Sequence, residues 1–298
     1  MTRYEKLMER IDNGEFILID GATGTEMERR GVPKLEHAWN GGGAISDPEI
    51  LHSVHSDYIQ AGADIIITNT FATLKSALQD ARCGEQFERY NRRAVEIAND
   101  ARETAGKDDV VIAGSISHWS WSSRNVPIKE LCANASEQAI IMKLAGVDII
   151  MLEMMSEIGS MTAVLDGAEK SGLPIWVGLS CVLDSRGTPT LLSGESIEEA
   201  IEVVTRRNVG AVNIMHTDVD CIDVCLDVVM KLWAKPIGVY AHSGDYIGGD
   251  WVFSTVINVI DYVEVAKRWK SRGVQIIGGC CGIGPRHIQA IHELCHVR

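Results

Sequence analysis

"VQIIGGCCGIGPRHI", residues 274–288, runs an apolar β-branched stretch into a turn of glycines that encloses two adjacent cysteines. Seven comparable runs precede it: "FILID" (16–20), "DIIIT" (64–68), "VVIAGS" (110–115), "DIIMLE" (148–153), "PIWVGLS" (174–180), "AVNIM" (211–215) and "PIGVYA" (236–241). Nearly continuous apolar strands, rather than alternating ones, are what a parallel sheet covered on both faces requires. The segments between them show helical spacing. In "DPEILHSVHSDYIQAGA" (47–63), Leu51, Val54, Tyr58 and Ile59 fall on one side, and "SIEEAIEVVTRRNVG" (196–210) opens on Ser196 as an N-cap and closes at Gly210. Eight strands with intervening helices predict an α/β fold, a single (β/α)₈ TIM barrel, rather than a six-stranded doubly wound sheet. No Pro/Ser-rich linker or charge block divides the chain, so residues 1–298 read as one domain.

In such a barrel the active site lies where strands end and βα loops begin. That directs attention to the polar residues at strand C-termini: Asp20, Thr68, Thr70, Ser115, Glu153, Cys181, His216, His242 and the pair Cys280–Cys281. Two neighbouring thiols make a soft donor set suited to Zn²⁺, and glycines on either side permit backbone angles that turn both toward one point. The plainer reading makes both cysteines small apolar residues of a tight turn.

Composition narrows the function classes. The hydrophobic share of 46% is ordinary for a globular protein and ample for one core. The net charge is −13, from 28 Lys+Arg against 41 Asp+Glu, with no basic run to neutralise phosphates. Neither nucleic acid nor an anionic membrane is therefore expected as a partner. The start "MTRYEKLMERIDNGEF" lacks an apolar signal core, and no stretch approaches the roughly 18 apolar residues of a membrane span. Eight scattered cysteines do not resemble a secreted disulfide framework, which points to a reducing cytoplasm with thiols free or metal-bound.

Several stretches together resemble the homocysteine S-methyltransferase family, which includes betaine- and S-methylmethionine-dependent enzymes and the homocysteine module of cobalamin-dependent methionine synthase. They are "GGCCG" (278–282), "DGATGTEMERRG" (20–31), "HSDYIQAGADIIITNTF" (55–71), "GSIS" (114–117), "LEMMSEIGSM" (152–161) and "VYAHSGD" (239–245), in consistent order nearly end to end. The resemblance implies a TIM barrel of homocysteine-binding type. It also implies a zinc-dependent enzyme of methionine biosynthesis that moves a methyl group from a sulfonium or quaternary ammonium donor to the thiol of homocysteine or a related thiol. Its partners are then two small molecules, the thiol and the methyl donor. On matching positions Cys280 and Cys281 become zinc ligands, and Asp20 and Glu153 hold the amino-acid end of the acceptor. Thr70 matches a position near substrate. Gly21 and Gly24 would let backbone amides approach a carboxylate.

One departure bears on the metal. The family's third thiolate comes from an Asn-Cys step after strand six, and here Asn213 is followed by Ile214. His216, two positions on, shares a facing direction with Ile214 by strand alternation. His242 or Cys181 could serve instead, and a Cys280/Cys281/His216 zinc site is the expectation. Trp39, Phe71 and the W-x-W segment "SHWSWSSRN" (117–125) could set aromatic faces around a cationic donor. Trp119 and Trp121 read equally as a lid or a subunit contact, which leaves homo-oligomer formation open. Cys221, Cys225, Met154 and Met155 read as packing residues. Three rival readings remain: a different methyl acceptor, a separate corrinoid protein as partner, and a catalytically silent barrel that binds a small molecule.

Overall fold

The computed structural model describes every residue except 123, 248–249, 253–254 and 297–298. Eight parallel strands form the barrel: β1 (Ile17–Leu18), β2 (Ile65–Ile67), β3 (Val111–Ile116), β4 (Ile149–Met155), β5 (Ile175–Leu179), β6 (Val209–Asp218), β7 (Ile237–His242) and β8 (Ile276–Ile277). Their order around the sheet is β1-β8-β7-β6-β5-β4-β3-β2, and a parallel bridge between Ile19 and Ile65 brings the two ends together. All eight apolar runs of the sequence are these strands, in sequence order around the cylinder.

The continuous apolar character of the strands is explained by two separate cores. Residues such as Ile66, Ile112, Ile150, Val177, Val212 and Ile277 point outward and pack under the helices. Their sequence neighbours Ile65, Val111, Ile149, Trp176, Ala211 and Ile276 fill the barrel interior. Alternation persists along each strand, but both faces are buried. The bottom of the barrel is closed by helix Arg3–Asp12, whose Leu7 and Ile11 join the interior cluster. A capping box starts that helix: Thr2 accepts from the Glu5 amide while the Glu5 carboxylate accepts from the Thr2 amide.

Helix Pro48–Gln60 buries the expected Leu51, Val54, Tyr58 and Ile59. Ser196 caps helix Ile197–Thr205 by accepting from the Glu199 amide. That helix ends five residues before Gly210, because Val209 and Gly210 already belong to β6. Two antiparallel hairpins, Cys181–Leu183 with Pro189–Leu191 and Asp245–Ile247 with Asp250–Val252, follow β5 and β7 over the barrel mouth. Among the described residues, no helix is long and apolar enough to cross a membrane.

His55, on helix Pro48–Gln60, is fully buried and neither ring nitrogen has a hydrogen-bond partner. Burial, with a smaller contribution from His52, depresses its pKa to about 3. The folded protein therefore resists a proton that the unfolded chain accepts near pH 6.5, so stability falls as pH drops below that value. The expected loss from this residue between pH 7 and pH 5 is about 2 kcal/mol. Urea titrations at both pH values should show that loss shrinking by a similar amount in His55→Leu. Equal acid sensitivity in the two proteins would refute the assignment.

Candidate active site

The C-terminal ends of the strands surround a cavity of about 660 Å³. Its floor brings together Asp20, Glu153, His216, His242, Cys280 and Cys281, which the sequence scatters over 262 positions from 20 to 281.

The cysteine pair is placed by β8. Ile276 faces the interior, and period-2 alternation carries Gly278 and then Cys280 to the same side. The Cys280 amide donates to the Ala241 carbonyl at 2.8 Å, and the Ser243 amide to the Cys281 carbonyl at 3.0 Å, tying the turn to β7. Gly282 completes the turn at φ +86°, and a β-carbon there would lie 2.1 Å from the Ser243 carbonyl. Cys281 is buried and Cys280 half-buried, and Cys281 donates a hydrogen bond to Cys280. That bond, reinforced by His216 and His242, holds Cys280 well below the usual thiol range.

His216 Nδ1 lies 3.4 Å from Cys280 Sγ and 3.9 Å from Cys281 Sγ. All three donor atoms fall within 4.8 Å of one another. Tetrahedral zinc with Zn–S near 2.3 Å and Zn–N near 2.05 Å requires N···S edges of about 3.6 Å. Both N···S distances fit such an ion with little movement. Among the described residues this is the one group of three His, Cys, Asp or Glu side chains so disposed.

His216 reaches the cysteines by a route other than alternation. Ile214 packs in the outer core, beneath the helices, whereas Asn213 and Met215 face inward. His216 would follow Ile214 outward if the strand stayed regular. Instead the β6–β7 register shifts between Met215 and Asp218, and His216 adopts φ +44°. The expected shared direction with Ile214 is thus wrong: the bulge reverses it. His242 does follow alternation into the mouth behind Gly238 and Tyr240, its ring 4.8 Å from that of His216. Cys181 is buried at the cavity wall beside Cys225 and is not part of the His216–Cys280–Cys281 group.

The two acids sit across the floor. Asp20 is buried and accepts from the Ile67 amide at 2.8 Å. Burial raises its pKa well above the usual carboxylate range, with Glu153 and Cys280 adding repulsion. Glu153 points inward from β4 and accepts a short hydrogen bond from the Ser115 hydroxyl. Burial, opposed by that bond, pushes its pKa to about 8. Thr70 is fully buried but its side chain is not brought to the cavity: the hydroxyl donates to the Ser115 carbonyl at 2.8 Å and meets Thr68 Oγ1. Gly21 does line the cavity, and its missing side chain leaves room for the Ile283 carbonyl, 2.4 Å from where a β-carbon would stand. Gly24 likewise admits the Trp39 ring.

A wall of aromatic rings rises on one side of the cavity. Trp39, Phe71 and Trp121 contact one another with ring centroids 5.8–6.5 Å apart. Trp39 Nε1 donates to Glu28 at 2.7 Å. The loop bearing Trp121 is tied down by Ser122 and Arg124, both bonded to Asp80. Met155 and Cys225 are packing residues as expected, but Met154 and Cys221 line the cavity. Met154 does so because β4 carries its own bulge, with Met154 at φ +56°. Sequence reasoning missed Tyr240, which lines the cavity with a buried hydroxyl that has no hydrogen-bond partner among the described residues. Its position two residues before His242 on an inward-facing register was the available signal.

A family model described as homocysteine S-methyltransferase matches residues 17–295. Selenocysteine Se-methyltransferase of Brassica oleracea var. italica is 29% identical, across 95% of this chain and 89% of its own length. Homocysteine S-methyltransferase 2 of Arabidopsis thaliana is 28% identical, across 94% and 93%. In three dimensions the chain superimposes on the metallated form of the homocysteine methyltransferase MmuM from Escherichia coli with a TM-score of 0.79. The identity there is 22%, across 97% of this chain and 99% of that one.

Proposed function

Because the chain belongs to the homocysteine S-methyltransferase family, we propose that it transfers a methyl group from a small cationic donor to the thiol of homocysteine, using Zn²⁺ held by Cys280, Cys281 and His216. The observation that carries this reading is the group of Sγ, Sγ and Nδ1 donors in the cavity, with N···S distances of 3.4 and 3.9 Å and all three atoms within 4.8 Å of one another. A silent binding barrel has no use for thiols so arranged. Zn²⁺ there supplies the charge that keeps a coordinated thiol deprotonated near neutral pH, where a free thiol of pKa about 8.5 is mostly protonated.

The protein's own groups orient the reactants. Glu153 and Asp20 offer carboxylates to the α-ammonium of the acceptor. Their raised pKa values keep a desolvated negative charge from accumulating in the empty site. An arriving ammonium favours the ionised form, so Glu153 releases its proton as the ion pair forms. The Ser115 hydroxyl holds the carboxylate in place meanwhile. On the donor side, Trp39, Phe71 and Trp121 present π faces that attract a sulfonium or quaternary ammonium group. The acceptor sulfur attacks the methyl carbon, the bond from that carbon to the donor's charged atom breaks with its electron pair, and the donor leaves with that atom neutral.

Methionine formation from homocysteine, assayed with S-methylmethionine and with betaine on zinc-loaded protein, tests this reading. Turnover with one donor and its loss on chelation is the expected result; no product from either donor sinks it. Selenocysteine belongs in the same assay, since one relative of the chain is a selenocysteine Se-methyltransferase and a selenolate suits the same soft site. Trp121→Ala is expected to raise the donor KM about 3- to 30-fold, the worth of one cation–π face, and to leave the homocysteine KM unchanged. Equal effects on both constants would place Trp121 elsewhere in the mechanism.

A further inference from the structure

His216 holds a backbone angle that a residue with a β-carbon rarely adopts, and two hydroxyls are bonded to the peptide carbonyls of the bulge that imposes it. Ser180, fully buried just past the end of β5, donates from Oγ to the His216 carbonyl at 3.0 Å. Thr217 Oγ1 donates to the Met215 carbonyl at 3.0 Å and accepts from the Cys181 amide at 2.9 Å. The Ser180 and Cys181 bonds tie the irregular turn of β6 to the start of the hairpin that follows β5, and the Thr217–Met215 bond closes the bulge on itself. On the interior side, the Met154 amide points at the Met215 sulfur at 3.1 Å, so the bulge of β4 abuts that of β6. A strained φ persists only where its surroundings over-determine it. Here those surroundings are identifiable side chains, and only one of the bulge residues, His216, faces the cysteine pair.

We infer that Ser180 is a positioning residue for the metal centre: with Thr217 it pins the 215–218 bulge, and the bulge moves the cavity-facing position of β6 from the regular register to residue 216. This rests on the reading that His216 is a metal ligand. Ser180 touches neither substrate nor metal, and acts through the direction of the His216 ring. Groups that orient a ligand in this way typically contribute 10- to 100-fold in metal affinity. Ile214, held in the outer core by regular alternation ahead of the bulge, is on the wrong side of the strand for a ligand.

The test uses the full chain stripped of metal, with zinc affinity from competition against a chromophoric chelator and geometry from the absorption bands of the Co²⁺ form. His216→Ala is expected to weaken zinc binding at least 100-fold. Ser180→Ala should weaken it 10- to 100-fold and alter the Co²⁺ ligand-field bands, while Ser180→Thr, which keeps the hydroxyl, restores both. The double variant Ile214→Cys/His216→Ala should bind zinc no better than His216→Ala alone. If Ser180→Ala fails to fold, Thr217→Val removes the other anchor and should give the same spectral change. Wild-type affinity in His216→Ala overturns the ligand assignment itself. Loss in His216→Ala with wild-type affinity and spectrum in Ser180→Ala and Thr217→Val overturns only the positioning role, as does recovery of zinc by Ile214→Cys.

Discussion

Cys280→Ala is expected to lose its metal on dialysis and to form methionine at least about 1,000-fold more slowly than the parent protein. Removing Cys280 Sγ leaves one thiol and one imidazole, too few to hold zinc against water. It also removes the thiol whose acidity the site is built to raise, through the Cys281 hydrogen bond and the two histidines. Metal content by mass spectrometry and turnover with saturating zinc separate the two consequences. If both matched the parent, the cysteines would be small residues in a turn and the zinc reading would be wrong. Cys132→Ala, at a half-buried position outside the cavity, serves as the control and should change neither quantity.

Glu153→Gln is expected to lower kcat/KM for homocysteine about 100-fold, mostly through KM, because the substrate ammonium loses a buried partner. The pH dependence gives the sharper signature. With a pKa near 8 in the free protein, wild-type kcat/KM should climb as pH rises from 7 toward 8.5 and more of Glu153 ionises. The variant should lack this rise, so the gap between the two widens with pH. Stability should move the other way. A carboxyl whose folded pKa is raised above its unfolded value stabilises the fold below about pH 4.5 and loses that contribution as pH climbs through 8. Glu153→Gln should therefore melt at a higher temperature than wild type at pH 8. A residue kept for folding would show the reverse, a less stable variant with unchanged kinetics.

The acids and the aromatic wall differ in how openly the sequence announces them. Glu153 was readable twice over, as the polar end of an apolar run and as part of the "LEMMSEIGSM" resemblance. Thr70 was flagged by the same logic, yet its hydroxyl supports Ser115 from behind the wall. The strand-end rule marks which residues are near the mouth, without saying which side of the wall they occupy. The two hairpins over the mouth went unread because their strands are three residues long, too short to carry a period.

The barrel is legible in the chain: eight buried parallel strands cannot avoid eight apolar runs, and glycine-flanked cysteines after the last run mark the mouth. So are the chemical groups that meet there, since alternation from Ile149 and Ile276 leads directly to Glu153 and Cys280. That His216 faces the cysteines follows from long-range packing alone. A bulge exists through mismatched pairing between neighbouring strands and through hydroxyls such as Ser180, 36 positions away, and neither leaves a local pattern in the chain that bends.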